Sequence, residues 1–595
     1  MINRTTKLRW RRKFRRRRRQ VEDMGFQAED NLEKHFFRRM ARLFNVRRFV
    51  IGWVTLLGLL IFAVTIQITS LKGYYQELQP TTGGTYTEGM VGSFTNANPI
   101  YAVGPVDTSV SRLIFAGLLK YDNKNKLTGD LAQKWDISAD GKTYTVVLKP
   151  NLTWQDGQPL TADDVVFTYK TIQNPDAASP FLRSWQGIEV KALDKQTITF
   201  TLPNILAPFL DSLTAGIVPK HSLDRINVSQ LRSASFNTSK PIGSGPFMWD
   251  VIEVVDTKSS SSEQHIGLKA FSGYNGGKPK LQSFVIKAYP DEQRLITSFK
   301  RKEVDALVGL DRRPDELEKA SNVNYMNIPL TAEVMAFLRT DSAMLNEAKT
   351  RQALLQSINI PEMLKGLSYP VVAADEPFLR SQFAYDAKLK QYGLSVERAK
   401  LLLASAGWDR KTPKATVAKG DAKLVIKLVA QNTPDYAYIT QKLQKAWSAI
   451  GVETQVTLLG NTDLQTAISN RDYDVLLNGV SIGSDPDVFA YWHSSQADPR
   501  SGSRLNFSNY KSEVADKSLE AGRSRLGDQL RTIKYQPFLQ AWHDDTPAIA
   551  LYQPRFLYIT RGQLSGLDSR SINTATDRYA NVQNWMIHET YSSKK

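Results

Sequence analysis

Apolar and polar residues follow three rhythms along this chain, and each predicts a different kind of element. The first is an unbroken apolar run: residues 49–71 carry no charged side chain. At a rise of about 1.5 Å per residue, such a run in helical form crosses a hydrocarbon layer of about 30 Å. Arg47 and Arg48 stand before it and Lys72 after it. A retained membrane helix is expected here rather than a cleaved leader, because the apolar run and the charged region before it both exceed signal-peptide dimensions. Residues 72–84, with Pro80 and Gly83-Gly84, read as a linker out of the membrane.

The second rhythm has a period of two. From Trp135 to Leu148 it predicts a hairpin, with Asp140-Gly141 as the turn and the β-branched and aromatic run 142–148 as the returning strand. Further strands are expected at 197–202, 284–288, 424–430, 453–457 and 473–477. The third rhythm is helical. Thr161 stands where an N-cap belongs, and Asp163 and Asp164 fall in the first turn, where carboxylates favour the helix dipole. Val165, Val166 and Tyr169 supply the apolar face, and Asn174-Pro175 ends it. Other helices are expected at 292–302, 346–358, 395–406, 436–450 and 512–523. Strands and helices alternate without an internal repeat, which implies α/β lobes. With 595 residues, more than one core is needed. Residues 256–263, with four consecutive serines, read as a surface loop.

The net charge of +18 matters only once it is located. Residues 1–48 hold 17 Lys/Arg against 5 Asp/Glu, densest at Arg15 to Arg19, and the remaining chain carries only +6. The basic excess belongs to the amino-terminal tail. It keeps that end in the cytoplasm and attracts anionic lipid. A balanced main body without a basic aromatic platform gives no reason to expect nucleic acid. The absence of cysteine excludes disulfides, cysteine-ligated zinc, cysteine catalysis and lipid attachment at a cysteine. The six histidines, at 35, 221, 265, 493, 543 and 588, include no pair at ligand spacing, so no metal site and no cofactor are expected.

Two short motifs bear on catalysis. Gly479-Val480-Ser481-Ile482-Gly483 fits the Gly-x-Ser-x-Gly elbow in letters, with Asp544, Asp545 and His588 downstream. The elbow requires a helix to start at the serine, whereas here a helix is expected to start only at Asp485-Pro486. Gly273 to Lys278 is one residue short of a phosphate loop, and Pro279 replaces its hydroxyl residue. No catalytic residue is assigned; a serine hydrolase is the remote alternative.

An ordered series of blocks resembles the oligopeptide/dipeptide-binding proteins of ABC importers, solute-binding protein family 5. The most specific runs from Gly129-Asp130-Leu131-Ala132-Gln133-Lys134-Trp135 through Asp140-Gly141-Lys142-Thr143-Tyr144 to Trp154-Gln155-Asp156-Gly157-Gln158-Pro159-Leu160-Thr161-Ala162-Asp163-Asp164-Val165. Ile114-Phe115-Ala116-Gly117-Leu118-Leu119 precedes it. Gly243-Ser244-Gly245-Pro246-Phe247, Tyr274-Asn275-Gly276-Gly277-Lys278-Pro279, Val304-Asp305-Ala306, Arg351-Gln352-Ala353-Leu354 and Glu397-Arg398-Ala399-Lys400 follow in the family's order. Most of these residues are turn and core chemistry, so they identify a fold more than a site.

The resemblance implies a two-lobed, type II periplasmic-binding-protein-like clam shell, α/β in class, with an extra subdomain and one preceding transmembrane helix. The expected division is a basic cytoplasmic tail at 1–48, the span at 49–71 and the linker at 72–84. Lobe I follows at 85–112, its extra subdomain at 113–239 and its second part at 240–330. Lobe II takes 331–540, and lobe I closes at 541–595. The implied function is capture of a peptide or peptide-like solute between the lobes and delivery to ABC permease subunits, with the large domain extracytoplasmic. Some relatives bind nickel complexes or haem, and a ligand-sensing ectodomain without transport is the alternative on the same fold. In peptide-binding relatives an Asp in the late strand–loop region takes the peptide's amino group. That region here makes Asp485 the first ligand-binding candidate and Asp487 the second, with Gly483 and Ser484 beside them. Asp485 is equally placed to cap a helix starting at Pro486. Val103 and Gly104, in the early loop after Asn98-Pro99, are backbone candidates.

Overall fold

The computed structural model describes residues 47–255, 262–318, 320, 322–367, 369–412, 415–498, 500, 504–567 and 570–593. The Arg-rich run at the amino end and most of the serine-rich loop lie outside them. Two units are distinguished, one comprising residues 1–80 and 589–595, the other residues 81–588.

In the first unit the apolar run forms the helix Arg47–Tyr75. None of its stretch Phe49–Gln67 is buried, so the protein supplies no core for it, and its side chains call for an apolar surrounding. The hydroxyls of Thr55 and Thr65 donate back to the carbonyls of Ile51 and Ile61 at 2.7 Å, which hides them within the helix. The strand Gln76–Thr81 follows and pairs with the C-terminal strand His588–Ser593.

The second unit is built on two large sheets. The seven-stranded sheet runs Val323–Pro329, Arg555–Arg561, Ala306–Val308, Thr85–Val91, Ser283–Tyr289, Glu263–Ala270, Phe247–Val255. Thr85–Val91 lies at its centre, parallel to both neighbours. The six-stranded sheet runs Val372–Ala373, Ala548–Gln553, Ala332–Leu338, Val475–Ser481, Val425–Gln431, Glu453–Leu459. A four-stranded antiparallel sheet, Ala132–Ile137, Thr143–Leu148, Thr197–Thr201 and Glu189–Ala192, packs into the same core as the seven-stranded one. The chain passes between the large sheets twice, from Pro329 to Ala332 and from Gln553 to Arg555. The crossings touch: Leu330 N–H donates to the Pro554 carbonyl at 2.9 Å. Two adjacent short crossings of this kind make a hinge.

The local rhythms explain these elements. The hairpin turns at Asp140-Gly141, where Gly141 takes φ +70°. Thr161 caps the helix Ala162–Gln173 in a capping box whose third residue is Asp164. That carboxylate accepts from the Thr161 N–H at 2.8 Å and from the Lys220 N–H at 2.9 Å, so one side chain ties the helix start to a second segment. Gln155 ties two of the resembling blocks to its own. Its amide donates to the carbonyls of Phe247 at 2.7 Å and Ile114 at 3.2 Å and accepts from the Gly243 N–H at 2.9 Å. A Cβ on Gly243 would stand 2.0 Å from the Ile114 carbonyl oxygen, which is why glycine is required there. Glu88 of the central strand and Arg578 of the 3-10 segment Ala575–Asn584 both have fully buried side chains and pair at 2.8 Å, with Tyr558 donating to Glu88 at 2.6 Å.

Two expectations are corrected. The strand expected at 473–477 runs as Val475–Ser481, through polar Asn478, Gly479 and Ser481, because Ala332–Leu338 pairs with its whole length. No helix starts at Pro486; the next helix is Phe489–Trp492, whose N-cap is Val488.

Candidate functional site

Between the two large sheets lies a cavity of about 790 Å³. The side of the seven-stranded sheet contributes residues around Lys124, Asp211 and Arg570; the side of the six-stranded sheet contributes Phe383, Gly483–Asp485 and Arg531. Thr331, at the first crossing, lines it as well. Its carbonyl accepts from the N–H groups of Ile482 and Gly483, each at 3.0 Å, and its hydroxyl donates to Asn573 at 2.7 Å. One hinge residue thereby holds a cleft loop of one sheet and a residue beside the other.

Gly483 and Ser484 both line the cavity. Gly483 has φ +85°, a conformation that favours glycine, and its carbonyl accepts from the Gln382 side chain at 3.1 Å. Asp485 lines the cavity too but caps no helix. Its two oxygens take a bidentate pair from Arg531, at 2.5 and 2.6 Å, and that geometry claims the side chain more strongly than a cap would. Arg531 is 4% exposed; its Nε donates to the Gly522 carbonyl at 2.9 Å. Burial opposes its charge, and the bonds to Asp485 hold its pKa above the ordinary value. It stands in the first turn of the helix Asp528–Asp545, which continues through an internal proline, Pro537. The hydroxyl of Ser518 bridges the turn at that proline: it accepts from the Phe538 N–H at 3.0 Å and donates to the Lys534 carbonyl at 2.5 Å.

Asp487 does not line the cavity. It pairs with Arg523 at 2.9 Å, and Arg523 stacks on Phe489 at 4.2 Å. Burial holds the Asp487 carboxyl above its usual range, and Arg523 opposes the shift. Val103 and Gly104 lie at the start of the helix Pro105–Ile114, also off the cavity lining; Val103 is 64% exposed. Sequence reasoning brought Gly483, Ser484 and Asp485 to one wall and missed the facing wall. There Asp211 accepts from the Tyr121 hydroxyl at 3.0 Å, and burial, then the charge of Asp485, pushes its carboxyl up to about 7. Ser481 ends its strand opposite Ala332 and no helix starts at it, so the elbow geometry is not formed. Among the described residues no group of acidic residues and histidines is arranged to hold a metal ion.

Two sheets, joined by two touching crossings and separated by an open cleft, define a hinged solute-binding protein of the type II periplasmic class. The chain belongs to the bacterial extracellular solute-binding proteins, family 5, whose middle-region model matches residues 126–501, more than half its length. It is 26% identical over 524 residues to the oligopeptide-binding protein AppA of Bacillus subtilis (strain 168), covering 86% of this chain and 92% of that one. The solved structure of NikZ from Campylobacter jejuni in complex with Ni(L-His) is 26% identical, with a TM-score of 0.70 over 84% of this chain and 99% of the other. The structure of AppA from Bacillus subtilis in complex with a nonapeptide shares the fold, at 23% identity and a TM-score of 0.66, over 86% and 100% of the two chains.

Proposed function

We propose that this protein captures a short peptide in the cleft and hands it to the permease subunits of an ABC importer, without chemical turnover. The observation that carries the reading is the cleft itself. Its volume of about 790 Å³ lies in the range of about 300–1,000 Å³ typical of small-ligand sites, and Gly483 and Ser484 line its wall. Peptides bind broadly through main-chain bonds, and side chains occupy the remaining space. Gly483, Ser484 and Asp485 are lobe II's contribution to the ligand. We take lobe I as 85–330 with the C-terminal segment beyond Pro554, and lobe II as the chain between the crossings. This moves the expected boundary from 540/541 to Pro554, because the helix Asp528–Asp545 runs through 540 and Ala548–Gln553 pairs in the six-stranded sheet. The resemblance to AppA, an oligopeptide-binding protein, over 86% of the chain supports a peptide ligand.

The apolar helix anchors the protein, with the Arg-rich tail in the cytoplasm against anionic lipid and the cleft outside. Mass spectrometry of the detergent-purified full chain, denatured to release what it carries, tests the ligand class. Short peptides near one equivalent are expected. A nickel complex, a haem or another non-peptide solute in that place overturns the reading.

A further inference from the structure

Asp211 and Asp485 line the cleft and Asp487 lies near them off its lining, and two of these three carboxylates are already matched. Asp485 is held bidentate by Arg531, and Asp487 by Arg523. Arg531 has no nitrogen to spare, since its terminal groups serve Asp485 and Tyr535 and its Nε serves Gly522. Asp211 differs. It sits in the 3-10 helix Ala207–Thr214, receives one hydrogen bond from Tyr121, and has no ion-pair partner among the described residues. It also lines two spaces at once: the cleft, and an adjoining pocket of about 340 Å³ walled by Phe115, Ile172, Phe181 and Trp185.

Resting on the peptide reading above, we propose that Asp211 is the cation-recognising carboxylate of the cleft and that the preferred ligands are peptides presenting an ammonium or guanidinium group to it. The surroundings suit such a group. An aliphatic stem packs along the aromatic wall while its charged head reaches the carboxylate, and the ring faces add attraction for the cation. The charged and titratable groups around Asp211 are Tyr121, Asp485, Asp487 and Arg531, and Asp485 with Arg531 is already neutral as a pair. Lys124, Lys126, Asp528 and Arg570 line the cleft more widely. Arg112 lines the adjoining pocket as well. Without a ligand, burial keeps the Asp211 carboxyl up to about 7. A bound cation favours the ionised form, so binding below that pH expels a proton, and affinity for a cationic peptide rises with pH.

The test titrates the detergent-purified full chain calorimetrically with Ala-Lys-Ala, its norleucine isostere and both N-acetylated forms, at pH 6 and pH 8. At pH 8 the wild type is expected to favour a cationic peptide over its uncharged counterpart by about ten- to a hundredfold, the worth of one charge-assisted bond. Its affinity should fall about tenfold at pH 6, with proton release visible as a dependence on buffer ionisation heat. Asp211→Asn keeps the size and the bond from Tyr121, and should abolish both the preference and the pH dependence while still binding the uncharged peptide. Loss of preference on norleucine substitution places a side chain at Asp211, and loss on acetylation places the peptide amine there; each supports the proposal. Retention of the preference in Asp211→Asn, or its absence in the wild type, overturns it. A wild type that binds none of the four peptides removes the peptide reading, and the proposal with it.

Discussion

Replacing Arg531 by Met removes both hydrogen bonds to Asp485 at once while keeping a long apolar stem in place. The guanidinium is 4% exposed and the Asp485 side chain 17%, with bonds of 2.5 and 2.6 Å between them. Breaking one side of a buried pair costs about 3–5 kcal/mol, because the abandoned charge stays behind. Asp485 faces the cleft and can draw water, which puts this case near the lower end, about 3 kcal/mol. The Gly522 carbonyl also loses its donor, adding about 1 kcal/mol. A lobe spanning roughly 220 residues has an unfolding entropy near 2.1 cal/mol/K per residue, so a loss of about 4 kcal/mol lowers its melting temperature by roughly 9 °C. Scanning calorimetry of the purified chain measures that shift. The decisive variant is the double substitution Arg531→Met with Asp485→Asn, which removes the abandoned charge and should regain more than half of the loss. If the double variant melts no higher than Arg531→Met alone, the loss comes from packing, and the electrostatic account of this wall is wrong.

Ser518→Ala strips the bridge across the Pro537 turn and should cost about 2 kcal/mol, read as a lower denaturation midpoint, since the Phe538 N–H and the Lys534 carbonyl both lose their partner; an unchanged midpoint would show that the turn needs no bridge. Burial first, then the neighbouring carboxylates Glu376 and Asp375, holds Glu333 well above its ordinary value of 4.5, and burial pushes Glu376 to about 9. The folded protein keeps these protons where the unfolded chain releases them, so their contribution is complete below about pH 4.5 and is lost as pH rises towards 9. Glu376→Gln should therefore flatten the fall in stability between pH 5 and 9 in urea titrations, and a slope parallel to the wild type would count against it. Protease added to intact cells should remove the large unit and spare the tail; protection of the large unit would reverse the orientation.

Legibility in the sequence followed how locally each feature is determined. The Thr161 cap, the Asp140-Gly141 turn and the helices Glu292–Lys300, Val396–Ser405 and Glu513–Arg523 rest on neighbouring residues and fall where the patterns place them. The helix expected from 436 begins at Pro434 because Thr433 caps it with proline in the first turn, a signal the sequence itself carries. The helix Asp528–Asp545 escaped because Pro537 reads as a stop, and the serine that offsets it stands 19 positions away. The site divides in the same way. Gly483, Ser484 and Asp485 lie next to one another in the chain and share a wall. Asp211 and Arg531 join them only through tertiary packing, and nothing in their own segments marks them. The Asp485 cap failed for that reason: local chemistry favoured it, and a distant guanidinium overrode it.

The path of the chain through the two large sheets also sets an order of assembly. Every strand of the six-stranded sheet lies between residues 332 and 553, so that sheet can be completed from one continuous stretch of chain. The seven-stranded sheet cannot. Its central strand Thr85–Val91 is joined through Ala306–Val308 to Arg555–Arg561, and, in the separate two-stranded sheet, Gln76–Thr81 pairs with His588–Ser593. During synthesis Ala306–Val308 and Val323–Pro329 must therefore wait for Arg555–Arg561 to be joined, and Gln76–Thr81 for His588–Ser593, while the later-encoded sheet forms as an inserted domain in the interval. Contacts this distant in sequence are slow to form and leave strand edges open meanwhile. The half of the molecule that begins the chain is thus the half that finishes folding last.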